Sequence, residues 1–323
     1  MTSDSFQERF EQCLRLFERE VDKEGRTLSM HALFASDGAH SLSHAFESED
    51  NPTDLRSVSK VVTALVIGAL IEDGVEIGDG QLTLDSRVWP LLAPQARRNN
   101  DVGFWTDVRL RDLLSNTIGH ESGFFFRKDL EGIGDEEYLA YALERPILYP
   151  PGTHFSYSNV GPFLVSVMLQ EGLHASLKDL ADRYVLGPLG ISATWREYAG
   201  YSAGCTGLAM SNTDLGRLTV LLRDGGRVET TRIVRESWVA TMRSMHNRTP
   251  SMFDPGRVFP KYAYGMALWV CEDGSYYCDG TDGQYSIVVP SLGLAIATTG
   301  SQPDMKPITR CLVPLVGSRP AMG

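Results

Sequence analysis

Several features are missing from this 323-residue sequence, and each absence removes a class of protein. There is no CxxC pair: Cys13, Cys205, Cys271, Cys278 and Cys311 are odd in number and far apart. That spacing argues against a disulfide framework or a thiolate zinc site, and it reads as free thiols in a reducing cytoplasm. No HExxH occurs among the seven histidines, and His40 and His44 read as strand-face residues, so neither metal nor other cofactor is expected. The longest strongly apolar run, residues 61–71, is too short to span a bilayer. The first residues, Met1-Thr2-Ser3-Asp4-Ser5-Phe6-Gln7-Glu8-Arg9, carry acids and no apolar core of a leader, which points to a soluble cytoplasmic protein. Lys plus Arg number 30 against 41 Asp plus Glu, a formal charge of −11 without a basic tract, so neither nucleic acid nor an anionic membrane is an expected partner. Internal repeats and low-complexity tracts are also lacking.

What is present is an ordinary globular composition, 42% hydrophobic and 22% charged, enough to build a large core. Residues 4–23 have helical spacing, with Phe6, Phe10, Leu14 and Phe17 on one face. Residues 27–35 and 40–46 read as strands around a turn at Ser36-Asp37-Gly38-Ala39. A helix starting near Ser57 is apolar on every side, so it belongs inside the molecule. Helices are expected at 109–115, 135–144, 161–170 and 177–185. Strands follow at 262–270, 275–279, 284–289 and 294–299, then a last helix over 304–316. Strands at both ends and helices between them predict an α/β (α+β) protein with an antiparallel sheet flanked by helices. Residues 1–50 and 200–323 would form the sheet domain, and residues 51–199 an inserted, mainly helical one.

Three short segments carry chemistry. Ser57-Val58-Ser59-Lys60 is an S-x-x-K, whose i and i+3 side chains share a helix face. A lysine among valines and leucines is expected to favour the neutral amine, which can act as a base. The helix start also offers backbone N–H groups to a developing oxyanion. Tyr157-Ser158-Asn159 lies just ahead of a helix; a tyrosine near a lysine can serve as base and then acid, and the Asn can orient the lysine and a carbonyl. Cys278-Asp279-Gly280-Thr281 ends a strand, where an edge N–H can complete an oxyanion hole. In isolation each has a plainer account: a helix-start serine with a surface lysine, a packed loop tyrosine, an ordinary β-turn.

Together, in this order, the three segments resemble the serine β-lactamase and penicillin-recognising superfamily, in its class C-like branch of esterases, D-aminopeptidases and related hydrolases. Leu82-Thr83-Leu84-Asp85-Ser86-Arg87-Val88, residues 111–117, residues 207–215 and Ile287-Val288-Val289-Pro290-Ser291-Leu292-Gly293-Leu294 are similar to further family segments, so the likeness covers most of the chain. The resemblance implies a β-lactamase/transpeptidase-like fold. It makes Ser57 the nucleophile, has Lys60 and Tyr157 share base and acid duties, and gives Asn159 a substrate contact. Cys278, Asp279, Gly280 and Thr281 would line the substrate, and the N–H groups of Ser57 and Thr281 would form the oxyanion hole. The third motif departs from the family, where Lys-Thr-Gly or a triplet opening with His or Trp is usual. The cation for a substrate carboxylate is lost, and Asp279 would repel one, which favours a small neutral ester or amide over a β-lactam. An acyltransferase using the same acyl-enzyme, or a binding protein that kept the fold, are the alternatives.

Gly200-Tyr201-Ser202-Ala203-Gly204 matches the G-x-S-x-G of a nucleophile elbow, with Asp214 and His246 formally available. The residues before it make a poor buried strand, so it reads instead as a flexible loop between domains. Phe124-Phe125-Phe126 is read as core or loop packing rather than a pocket wall.

Overall fold

The computed structural model describes residues 5–47, 49–96 and 102–317. The first four residues of the sequence and its last six therefore lie outside the described residues.

Helix α1 (Phe6–Arg19) begins one residue after Ser5, whose hydroxyl takes the Glu8 N–H while the Glu8 carboxylate takes the Ser5 N–H. The main sheet has eight strands: β1 (Met30–Ser36), β2 (Ser41–Ala45), β3 (Asn247–Arg248), β4 (Ala263–Tyr264), β5 (Trp269–Val270), β6 (Tyr276–Gly280), β7 (Gln284–Val289) and β8 (Leu294–Gly300). They run in the order β3-β4-β5-β6-β7-β8-β1-β2, with every neighbouring pair antiparallel. The chain's two ends thus meet where β1 pairs with β8, Phe34 opposite Ala297.

Alternation along the strands divides the core in two. Leu33, Ala35, Tyr277, Ile287 and Ile296 pack with Phe6, Phe10 and Phe17 of α1 and with Ile308 of the C-terminal helix α6 (Lys306–Cys311). Phe34, Tyr276, Cys278, Val288 and Ala297 face the helical side. There α5 (Asn212–Arg223) crosses the sheet, closely enough that a Cβ on Gly216 would collide with the Phe34 ring. Beyond it lies α2 (Ser59–Glu72), in which every residue from Ser59 to Leu70 is buried, as expected of a helix apolar all round. Helix α3 (Leu110–Ser115) and helix α4 (Val160–Leu173) pack against each other on this side; a Cβ at Gly161 would strike the Leu113 carbonyl, so only glycine permits this approach.

Several expectations are refined. Ser57 belongs to a 3-10 turn (Arg56–Val58) that precedes α2, not to the α-helix itself. Residues 262–270 form two strands, because Ala267 turns the backbone with φ +62°. The last helix is broken into Lys306–Cys311 and Val313–Val316. Residues 177–185 begin as an α-turn (Leu177–Ala181) and widen into a π-turn (Asp182–Leu186). No described helix is long and apolar enough to cross a membrane.

Candidate active site

Lys60 is the centre of the site. It stands in the first turn of α2 and is 1% exposed, yet its Nζ has three oxygen partners. It lies 2.8 Å from Ser57 Oγ and donates to Asn159 Oδ1 at 2.8 Å and to the Cys205 carbonyl at 2.9 Å. Burial pushes the Lys60 pKa below the ordinary lysine value, and negative charge at Cys205, Cys278 or Asp279 would oppose that shift.

Asn159 caps α4 and cannot turn its amide around, because Nδ2 donates to the Phe125 carbonyl at 3.0 Å; Oδ1 therefore faces Lys60. Phe125 itself has φ +70° and its ring is fully buried. Tyr157 is carried by a loop that Asn116 clamps from both sides. The Asn116 carbonyl takes the Ser156 N–H at 3.0 Å and its side-chain Oδ1 takes the Ser158 N–H at 3.1 Å. This puts the Tyr157 ring 5.3 Å from Lys60 Nζ, 5.2 Å from the Trp269 ring and in a stack on Phe126. Burial raises the Tyr157 pKa well above the usual tyrosine value, with nearby Cys278 and Asp279 adding to the shift and hydrogen bonding to Ser57 opposing it. The phenol is therefore protonated at neutral pH.

The turn after β6 closes the other side. A Cβ on Gly280 would collide with the Leu55 carbonyl and lie 2.8 Å from Arg56 Cβ, so glycine lets the strand end lie directly against the segment bearing Ser57. Outside the helices and strands themselves, no backbone hydrogen bond among the described residues takes up the N–H of Ser57 or of Thr281. The Cys278 thiol, buried, donates to the Ser57 carbonyl at 3.3 Å, and burial pushes its pKa up to about 12. Its side chain is thus turned inward onto Ser57. Asp279 pairs with Lys261 at 3.1 Å, and the Lys261 ammonium lies 4.1 Å from the centre of the Trp269 ring. The segment before β4 thus brings a cation against the third motif.

Ser57, Lys60, Tyr157, Asn159 and the 278–281 turn are thus brought together. The partners not expected from sequence are the Cys205 and Phe125 carbonyls, Lys261 and Trp269, none of which carries a motif. Residues 200–204 are not a loose loop: Tyr201–Ser202 pairs with Glu197–Tyr198, and Ser202 is buried with Oγ accepting the Lys178 N–H at 3.2 Å. Asp214 pairs with Arg217 and His246 meets the Thr241 carbonyl, so these three residues make their contacts in separate places. Phe124 and Phe125 are core, as expected, whereas Phe126 flanks Tyr157. Among the described residues no group of three or more His, Cys, Asp or Glu side chains is placed to hold a metal ion. None of the five cysteines is in a disulfide, and all are buried.

Solved structures share this fold. A hydrolase with promiscuous acyltransferase activity, EstCE1, superposes with a TM-score of 0.72 at 17% identity, covering 95% of this chain and 99% of that one. A penicillin-binding protein homologue from Caulobacter crescentus gives 0.71 at 15% identity, with 96% and 98% covered. A D-stereospecific amidohydrolase from a Streptomyces species gives 0.70 at 15% identity, with 96% and 99% covered. The family model described as Beta-lactamase matches residues 14–308, and the chain belongs to that family.

Proposed function

We propose that this protein is a serine hydrolase that cleaves a small ester or amide through an acyl-enzyme on Ser57. The observation that carries the reading is the arrangement of acceptors around Lys60 Nζ. A neutral amine has two N–H groups and one lone pair. Asn159 Oδ1 and the Cys205 carbonyl can only accept, so they take the two N–H groups and leave the lone pair facing the Ser57 hydroxyl. Burial of Lys60 supports that neutral state.

On this reading, Ser57 Oγ attacks the substrate carbonyl carbon as its proton passes to Lys60. The carbonyl π electrons move onto oxygen, stabilised by the N–H groups of Ser57 and Thr281. Collapse of the tetrahedral intermediate breaks the bond to the leaving group, which takes the Tyr157 phenolic proton; the Lys60 ammonium restores that proton to Tyr157. Water repeats the sequence on the acyl-enzyme and releases the acid. Because Lys261 and Asp279 neutralise each other beside the 278–281 turn, a neutral substrate fits better than a strongly charged one. Transfer to an alcohol or amine would use the same intermediate, and the acyltransferase activity named for one structural neighbour favours testing it.

The test compares p-nitrophenyl butyrate hydrolysis by wild type, Ser57→Ala and Ser202→Ala, with the acylated protein followed by mass spectrometry. Loss of turnover and of the butyryl adduct in Ser57→Ala alone is the expected result. Loss in Ser202→Ala alone would overturn the assignment. An inert wild type that forms no adduct would favour a binding protein that kept the fold.

A further inference from the structure

The two backbone N–H groups assigned above to the oxyanion each lie next to a residue with unusual backbone geometry. Arg56, just before Ser57, has φ +53°, and Asp282, just after Thr281, has φ +70°. Residues other than glycine rarely adopt this conformation, and it persists where the surroundings over-determine it. Here the surroundings are ionic. Arg56 Nε meets Asp282 Oδ2 at 3.1 Å, and the guanidinium also meets Asp54 Oδ2 at 2.9 Å. Asp54 Oδ1 in turn accepts the N–H of Arg56 itself at 2.9 Å and that of Gly207 at 3.2 Å. From behind, the Asp282 carbonyl takes the Gln302 N–H at 2.8 Å, and Gln284 Nε2 reaches the Thr281 carbonyl at 3.4 Å.

We propose that Arg56 and Asp282 form a positioning clamp that sets the distance between the Ser57 and Thr281 N–H groups. One ion pair spans the gap between the segment carrying the nucleophile and the turn carrying the second donor, and its ends lie one residue from each donor. Other ties across this gap include the Cys278 S–H bond, a weak donor, and the packing of Gly280 on Leu55 and Arg56. The fork of Arg56 holds Asp54 and Asp282 at once, so it ties the turn to the rigid β-pairing of Asp54 with Ala209. Neither side chain touches the reacting atoms; both act through the backbone next to them.

This inference rests on the serine-hydrolase reading, and its test separates the two. Asp282→Asn keeps the size and tolerates the left-handed backbone but removes the charge. Arg56→Lys keeps the charge and loses the fork. Single-turnover acylation by p-nitrophenyl butyrate is measured in both, together with inhibition by butylboronic acid, which forms a tetrahedral adduct on a seryl hydroxyl. The clamp predicts that acylation slows about tenfold in each variant, with boronate affinity falling in step and substrate affinity moving less than about twofold. The double variant should be no slower than the slower single one, because both break the same tie. Wild-type acylation in both variants, or losses that multiply in the double variant, would overturn the clamp. If Ser57→Ala is dead while both clamp variants are unimpaired, only the clamp fails. If Ser57→Ala keeps wild-type turnover, the serine-hydrolase reading fails and the clamp with it.

Discussion

Replacing Lys60 with methionine separates what the buried amine does for catalysis from what it does for stability. Methionine is close to the lysine chain in size and removes the nitrogen. Three hydrogen bonds disappear, at a net loss of about 1 kcal/mol each, roughly 3 kcal/mol in all. Against that, an amine held neutral inside the protein forgoes protonation that the unfolded chain enjoys. That forfeit grows by about 1.4 kcal/mol for each unit that pH falls below the ordinary value of 10.5, down to the lowered folded-state pKa. Between the lowered folded-state pKa and 10.5 the unfolded state binds a proton that the native state does not, so wild-type stability rises with pH in this window. Lys60→Met is therefore expected to be the less stable protein by roughly 3 kcal/mol near pH 10.5, and to gain on wild type as pH falls from there toward the folded-state pKa. Acylation should fall by about 10²–10⁴-fold at every pH. Calorimetric Tm values for both proteins from pH 6 to pH 10, with p-nitrophenyl butyrate bursts alongside, test both parts. A Tm difference that stays constant across that range would mean that Lys60 keeps its proton in the fold, and the neutral-amine base would be refuted. Undiminished acylation would refute the base role directly.

Tyr157→Phe retains the ring contacts with Trp269 and Phe126 and removes only the phenol. Steady-state assays should show kcat down by about 10²–10⁴-fold with Tm within a few degrees of wild type. Gly280→Ala forces the end of β6 away from Leu55 and Arg56, so kcat/KM should drop at least about tenfold while the far-UV spectrum is unchanged. Lys261→Met removes the ion-pair partner of the largely buried Asp279. Comparison of a neutral ester with one carrying a carboxylate in its acyl group should show the charged ester losing the larger factor, about fivefold or more in kcat/KM, through uncompensated repulsion.

Much of the frame was legible from residue order because the signals are local. The period-2 runs and the Asp37-Gly38 turn marked the hairpin that became β1 and β2, and the unbroken apolar stretch after Ser57 marked a buried helix. The break within residues 262–270 was hidden, because nothing about Ala267 announces a left-handed backbone. The helix Asn212–Arg223 escaped notice for a related reason: its hydrophobic stripe is interrupted by charges and a glycine, and it is held by packing on Phe34. The division of labour at the site has the same origin. Ser57 and Lys60 are three residues apart, so helical geometry alone brings their side chains together. Asn159 and Cys205 lie 99 and 145 residues from Lys60, and the Cys205 contribution is a backbone carbonyl that every residue type possesses. Likewise, Cys278-Asp279-Gly280 reads as a motif that has lost its cation, until folding brings Lys261 to Asp279. Residue identity and spacing determined the meeting of Ser57 with Lys60 and the strand and helix periods. Only the tertiary structure decided which distant acceptors surround the amine, because hydrogen bonds and charge pairs depend on distance in space and leave no periodic trace along the chain.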